Sequence, residues 1–111
     1  MATIITDEDR ARLLANAVAS EQDHMPVVKL FTPDAAATWL ITECDPDEPD
    51  RLFGLCDLGL GCPELGYASL AEIMEVRGRL GLPVERDLYF VADKPLSVYA
   101  EEARAKGRII A

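Results

Sequence analysis

Two β-prone runs, Thr38–Cys44 and Arg51–Leu58, flank the loop Asp45-Pro46-Asp47-Glu48-Pro49-Asp50. Proline has no amide hydrogen and a fixed φ, so neither run continues as a strand through this loop. Two strand-like runs joined by a short polar connection close most simply as an antiparallel hairpin. One register sets Ile41 opposite Leu55 and Glu43 opposite Phe53. It places Trp39, Ile41, Phe53 and Leu55 on one face, with Glu43 and Asp57 at its two ends.

The rest of the chain falls into place around this hairpin. Thr6 precedes Asp7, Glu8 and Asp9, so its hydroxyl can cap a helix start whose positive dipole end favours the acids. Leu13, Leu14, Ala17 and Val18 recur at helical spacing and predict a helix from about Asp7 to Ser20, with Pro26 barring its continuation. Val27–Phe31 is a short β-prone run, followed by the turn Thr32-Pro33-Asp34. Gly59–Gly66 reads as a glycine-rich loop. Ser69-Leu70-Ala71-Glu72 has the form of a capping box, opening a helix that Gly78 and Gly81 weaken and stop. Asp87–Val91 is a fourth strand candidate. Asp93 is placed to cap a last helix, with Leu96, Tyr99, Ala100 and Ala103 as its apolar stripe and Gly107 as its end. The expectation is a single α+β domain spanning the chain. It has a small, mainly antiparallel sheet of about four strands and three helices, in the order α-β-β-β-α-β-α.

The chain has 111 residues, of which half are hydrophobic and 28% charged, with a formal net charge of -9. Such a chain has enough apolar material for a core and lies outside the disordered class. The negative charge argues against binding to phosphate backbones or docking on anionic membranes, both of which need a basic face. It suits a protein partner with a basic surface. Cys44, Cys56 and Cys62 form no Cys-x-x-Cys pair, and His24 is the only histidine. A structural zinc set is therefore not expected. Met1–Thr6 lacks the pattern of a signal peptide, and no apolar stretch is long enough to span a membrane. The expected location is the cytoplasm, with reduced thiols.

No catalytic motif stands out. Gly59-Leu60-Gly61 fails as a phosphate fingerprint, because Glu64 occupies the sixth position and a carboxylate there repels phosphate. Glu43, Asp57 and Glu64 would converge if the hairpin end folded tightly, giving a hard-cation site or an acid–base pair. The plainer reading makes each a strand-end or loop carboxylate. Asp23 and His24 are adjacent in sequence without a nucleophile motif beside them, so His24 is expected as a solvated surface side chain. Cys56, beside Asp57, reads as a small buried hydrophobe, and Cys62 as the more accessible thiol. Trp39 is expected in the core. Tyr67 is the aromatic best placed to anchor a partner.

The stretches Val27-Val28-Lys29-Leu30-Phe31-Thr32-Pro33-Asp34, Ala37–Glu43, Phe53–Gly59 and Pro63–Leu70 resemble, in that order, a family of short bacterial proteins. It is known only as domain of unknown function twenty-nine fifty-eight. The resemblance runs from about Val27 to the last helix. It implies bacterial origin, frequent placement on plasmids and other mobile elements, and proximity to antirestriction and conjugation functions. It implies no catalytic residues.

The expected function is that of a non-enzymatic, acidic accessory protein that binds another protein, in mobile-element maintenance or counter-defence. Partner contacts are expected at Asp45, Asp47, Glu48, Asp50 and Tyr67. No cofactor, metal, direct nucleic-acid contact or membrane contact is expected. The alternative is a small enzyme or ligand- or metal-binding domain using Glu43, Asp57 and Glu64. From the odd cysteine count, three free thiols per chain are predicted. Thiol titration of denatured protein purified without reductant should find all three, and a lower count would reveal a bridge, most simply between copies through Cys62.

Overall fold

A computed structural model describes residues 4–111. Helix α1 spans Asp7–Val18. Thr6 Oγ1 accepts from the Asp9 amide at 3.1 Å and the Asp9 carboxylate accepts from the Thr6 amide at 2.9 Å. This reciprocal capping box satisfies two amides that a helix start otherwise leaves open. The helix ends two residues before the expected Ser20, where the Ala19 amide bonds back to the Asn16 carbonyl.

Five strands follow: β1 (Val28–Phe31), β2 (Thr38–Cys44), β3 (Arg51–Asp57), β4 (Glu64–Ser69) and β5 (Glu85–Arg86). Helix α2 (Leu70–Glu75) lies between β4 and β5, and α3 (Leu96–Lys106) follows β5. The spatial order is β4-β3-β2-β1-β5, and every neighbouring pair is antiparallel. The α+β class, the three helices and the β2–β3 hairpin agree with the sequence reading. β4 is an added strand. Its first half, Glu64–Gly66, falls in the expected Gly59–Gly66 loop, and its last residue, Ser69, is the expected helix cap.

Helices cover both faces of the sheet. On one face Leu13 of α1 and Ile73 of α2 join Val28, Leu30, Trp39, Ile41, Cys44 and Leu52 in a buried core. On the other face Leu96, Tyr99, Ala100 and Ala103 of α3 pack against Leu40 and Leu55. The central strands are thus buried on both sides, which replaces the expected single apolar face. Trp39 and Ile41 face α1, whereas Leu55 and Phe53 face α3.

The register also differs from the expected one, for a definable reason. Glu43 does lie opposite Phe53, but Leu40, not Ile41, lies opposite Leu55, and Ile41 meets Gly54. Between these pairs β2 spends one extra residue, Thr42, in a β-bulge. A bulge adds a side chain to one strand only and shifts everything beyond it to the opposite face. Gly54 makes the close approach at this point. A β-carbon there would overlap the Leu40 carbonyl oxygen and come within 2.9 Å of Ile41 Cα.

Four further expectations are corrected. Asp87–Val91 is not a strand. The edge strand is Glu85–Arg86, and after it Leu88, Tyr89 and Val91 are exposed, Tyr89 at 93%, while Phe90 packs against the α3 side. Helix α2 ends at Glu75, before the expected stop at Gly81. Ser69 caps it through Glu72 N at 3.2 Å, but the second partner is Asp50, whose carboxylate accepts from Ala71 N at 2.8 Å and from the Ser69 hydroxyl. Asp93 does not cap α3. The carboxylate of Asp23 accepts from Ser97 N at 3.1 Å and from the Ser97 hydroxyl.

The two glycines facing each other across β3 and β4 allow a direct test. Gly54→Ala should lose about 3 kcal/mol, the upper end for overpacking, because the clashing atoms are backbone. Gly66→Ala, whose added β-carbon meets nothing within 4 Å, should change stability little. Chemical denaturation of both variants checks this, and equal effects would refute the steric role of Gly54.

Candidate functional site

The bulge at Thr42 decides what stands beyond it on β2. Thr42 is buried, its hydroxyl donates to the Phe53 carbonyl at 3.4 Å, and its own carbonyl accepts from Asn16 Nδ2 of α1 at 2.9 Å. The next two side chains then separate. Cys44 enters the α1 core. Glu43 shares a cross-strand pair with Phe53, and directly opposed residues lie on the same face of a sheet.

Phe53 in turn lies opposite Tyr67 on β4. Glu43, Phe53 and Tyr67 therefore form one row across three strands, from the sheet interior to its edge. The two rings meet edge to face, with centroids 5.2 Å apart. The Arg51 guanidinium sits 4.0 Å from the Tyr67 ring centroid. Tyr67 is nonetheless 61% exposed.

This row opens into a cleft of about 250 Å³ that also takes in Asp45, Asp47 and, from the end of α1 and the turn after it, Ala17 and Ser20. The rim is held in shape by short local bonds. Asp45 Oδ1 accepts from Asp47 N at 2.9 Å, and Arg10 of α1 donates to the Pro49 carbonyl at 2.9 Å. Burial pushes the Glu43 carboxyl above the ordinary glutamate value, with nearby His24 opposing the shift and Glu21 adding to it. Among the described residues no lysine or arginine forms an ion pair with Glu43.

A larger cleft of about 500 Å³ lies beside α3 under Tyr89 and Val91. Its charged groups already have partners. Lys94 pairs with Glu102 at 3.1 Å and Asp93 at 3.6 Å, and Asp93 accepts from the Tyr99 hydroxyl at 3.0 Å. It offers no uncompensated charge to a ligand.

The carboxylate trio of the alternative reading is not assembled. Glu43 pairs across from Phe53 and Asp57 across from Thr38, at opposite ends of the hairpin. Asp57 is buried and fully engaged, accepting from Gly59 N at 2.8 Å and from Ile109 N at 2.9 Å. Glu64 is exposed on β4, opposite Cys56. Among the described residues no group of three His, Cys, Asp or Glu side chains is placed to hold a metal ion. Of the expected partner residues, Asp45, Asp47 and Tyr67 come together in the cleft, and Glu48 is exposed in the same loop. Asp50 is occupied as the α2 cap.

With this geometry in view, a family comparison places the chain. A family model described as "Protein of unknown function (DUF2958)" matches residues 4–110. The chain belongs to the DUF2958 family. No curated protein and no solved structure matches it. Among the described residues of this DUF2958 protein, no helix is long and apolar enough to cross a membrane.

One residue beside the site departs from the sequence reading. His24 is half-buried instead of solvated, its Nε2 bonded to the Ala19 carbonyl at 2.7 Å and its own carbonyl accepting from Leu96 N. The ring nitrogen that faces a carbonyl must carry the proton. The expected register already sets Glu43 opposite Phe53, and what the sequence reading lacks is the pairing of Phe53 with Tyr67 on β4.

The raised Glu43 value has a stability consequence whose sign is fixed. A carboxyl whose folded value lies above its unfolded one, about 4.3, costs stability once ionised. The stability present below the unfolded value is lost as pH rises through the folded one. Glu43→Gln should remove that loss. Its unfolding midpoint should match or exceed that of the parent at pH 7, and the difference should shrink below pH 4. A variant less stable than the parent at pH 7 would show that ionised Glu43 supports the fold.

Proposed function

We propose that this chain is a non-enzymatic binding protein whose cleft at Glu43, Asp45 and Asp47 receives a basic side chain of a protein partner, with Glu48 and Tyr67 completing the contact. The observation that carries this reading is Glu43 itself: a half-buried carboxylate, held off its ordinary value by burial, beside two further acids and without a cationic side chain paired to it. Burying a charge without its counterion is costly, and an incoming lysine or arginine removes that cost. The neighbouring Phe53 and Tyr67 rings supply apolar surface, and the Arg51 guanidinium already stacked on Tyr67 supports the affinity of this corner for arginine.

The net charge of -9 supports a basic partner and disfavours nucleic acid as the direct ligand. We place the protein in mobile-element maintenance or counter-defence, in the cytoplasm, where basic nucleic-acid-binding proteins are natural targets for an acidic domain. The family resemblance supports that setting.

The test is titration with an oligo-arginine peptide and, separately, with duplex DNA. The peptide should bind, and more weakly as salt rises. Neutralising Asp45, Asp47 and Glu48 together should mainly slow association, whereas Glu43→Gln and Tyr67→Ala should speed dissociation. Peptide binding that is unchanged by all five substitutions, or a salt-sensitive DNA complex at sub-micromolar protein, would refute the reading.

A further inference from the structure

The two edges of the sheet are built differently. β5 is only two residues long, and its Arg86 is engaged by the Asp9 carboxylate of α1 through both guanidinium nitrogens. A very short, covered edge is how folds prevent unwanted strand pairing. β4 has none of these protections. It runs six residues, Glu64–Ser69, contains no proline or lysine, and carries Leu65 at 41% and Tyr67 at 61% exposure on one face. At Gly66 no atom lies within 4 Å of where a side chain would begin. Its outer backbone groups have no strand beside them.

We propose that β4 receives an extended, basic segment of a partner protein as an antiparallel sixth strand. This rests on the cleft reading above and adds to it the partner's conformation and direction. Main-chain hydrogen bonds to an open edge supply affinity, and alternate side chains supply selectivity. Every pair in the sheet is already antiparallel, so an antiparallel addition continues the existing twist and ladder.

The direction has a consequence for charge. In an antiparallel addition the segment's N-terminal end lies beside Ser69. The Ser69 hydroxyl is bonded to Asp50, in the same loop as Asp45, Asp47 and Glu48. The basic residues of the partner therefore belong at the N-terminal end of the paired segment. One side chain on the strand itself faces Tyr67, continuing the row from Glu43 through Phe53.

Charge also selects against a second copy of this chain as the occupant. Two β4 strands paired antiparallel about Gly66 would bring Leu65 of one beside Tyr67 of the other. They would also set each acidic loop beside the other copy's Glu64, between two chains of charge -9. Like charges brought together across an interface are strongly disfavoured.

Three labelled peptides of identical composition test this by fluorescence anisotropy with the full chain. Each has an alternating Thr-Val segment and an Arg-Lys-Arg cluster. The first carries the cluster at its N-terminal end, the second at its C-terminal end, and the third is the first with alternate backbone amides of the Thr-Val segment N-methylated. The first should bind about tenfold tighter than either of the others, a difference of about 1.4 kcal/mol. Glu43→Gln should weaken all three. Equal binding of the first and third overturns strand addition while leaving the cleft reading intact. Equal binding of the first and second overturns the direction. Absence of binding by all three, with no effect of Glu43→Gln, overturns the cleft reading as well. A concentration-dependent dimer in sedimentation that Tyr67→Lys disperses would assign the edge to a second copy instead.

Discussion

The bulge at Thr42 is the constraint on which both halves of this molecule depend. Strand side chains alternate between faces, so a strand without the extra residue would turn Glu43 into the α1 core and Cys44 out of it. With the bulge in place, Cys44 is fully buried and Glu43 reaches the cleft. Three features hold the bulge. Asn16 bonds its carbonyl, the Thr42 hydroxyl reaches the Phe53 carbonyl, and Gly54 lets the two strands approach where any side chain would collide. Packing and function therefore share one local irregularity, and this is a common use of bulges beside sites.

Part of the acidic composition, which looks at first like a solubility device, is structural. Asp9 closes the α1 capping box and takes the Arg86 fork. Burial works to raise its carboxyl, but Arg86 and Thr6 outweigh this and hold it below the ordinary aspartate range. Asp23 caps α3 and Asp50 caps α2. Asp34 accepts from Leu80 N at 2.7 Å and Leu82 N at 3.2 Å, fastening the turn after α2. Asp57 ties the chain beyond α3 to the sheet through Ile109. Most of these carboxylates bind backbone amides from distant segments, so they act as long-range fasteners. Asp45 and Asp47 of the β2–β3 loop line the cleft with Glu43 and fasten no distant segment, which is what makes that corner distinctive.

This division explains how far the sequence could be read. The hairpin, the helix starts at Thr6 and Ser69, and the α3 stripe were legible because each rests on local patterning: proline-bounded loops, capping residues, helical spacing. β4 was not, because Gly66 and the exposed Tyr67 lack an apolar alternation and the strand exists through pairing with β3. Asp87–Val91 shows the converse. Its residues favour strands, but the chain turns at Asp87, whose carboxylate accepts from Tyr89 N at 2.9 Å. Asp93 stands directly before α3 in sequence, whereas Asp23 is 74 residues from Ser97. Only the packing of the segment before β1 against α3 selects Asp23. The cleft joined Glu43, Asp45 and Tyr67 because of the bulge, and no composition or spacing argument announces a bulge.

The cleft and the open edge meet along the row Glu43, Phe53 and Tyr67. A cation stabilises only the ionised form of a carboxyl, so its arrival at Glu43 is coupled to loss of the proton that burial favours there. Occupation by a lysine or arginine would therefore draw the Glu43 carboxyl back toward its ordinary value. By linkage, that same partner would be held more tightly once pH has risen through the free-state value of Glu43 than below it. The coupling belongs to the one acid that the bulge has turned into the cleft. The strand at the edge would supply affinity that is indifferent to pH, and the bulged residue would supply the selection for charge.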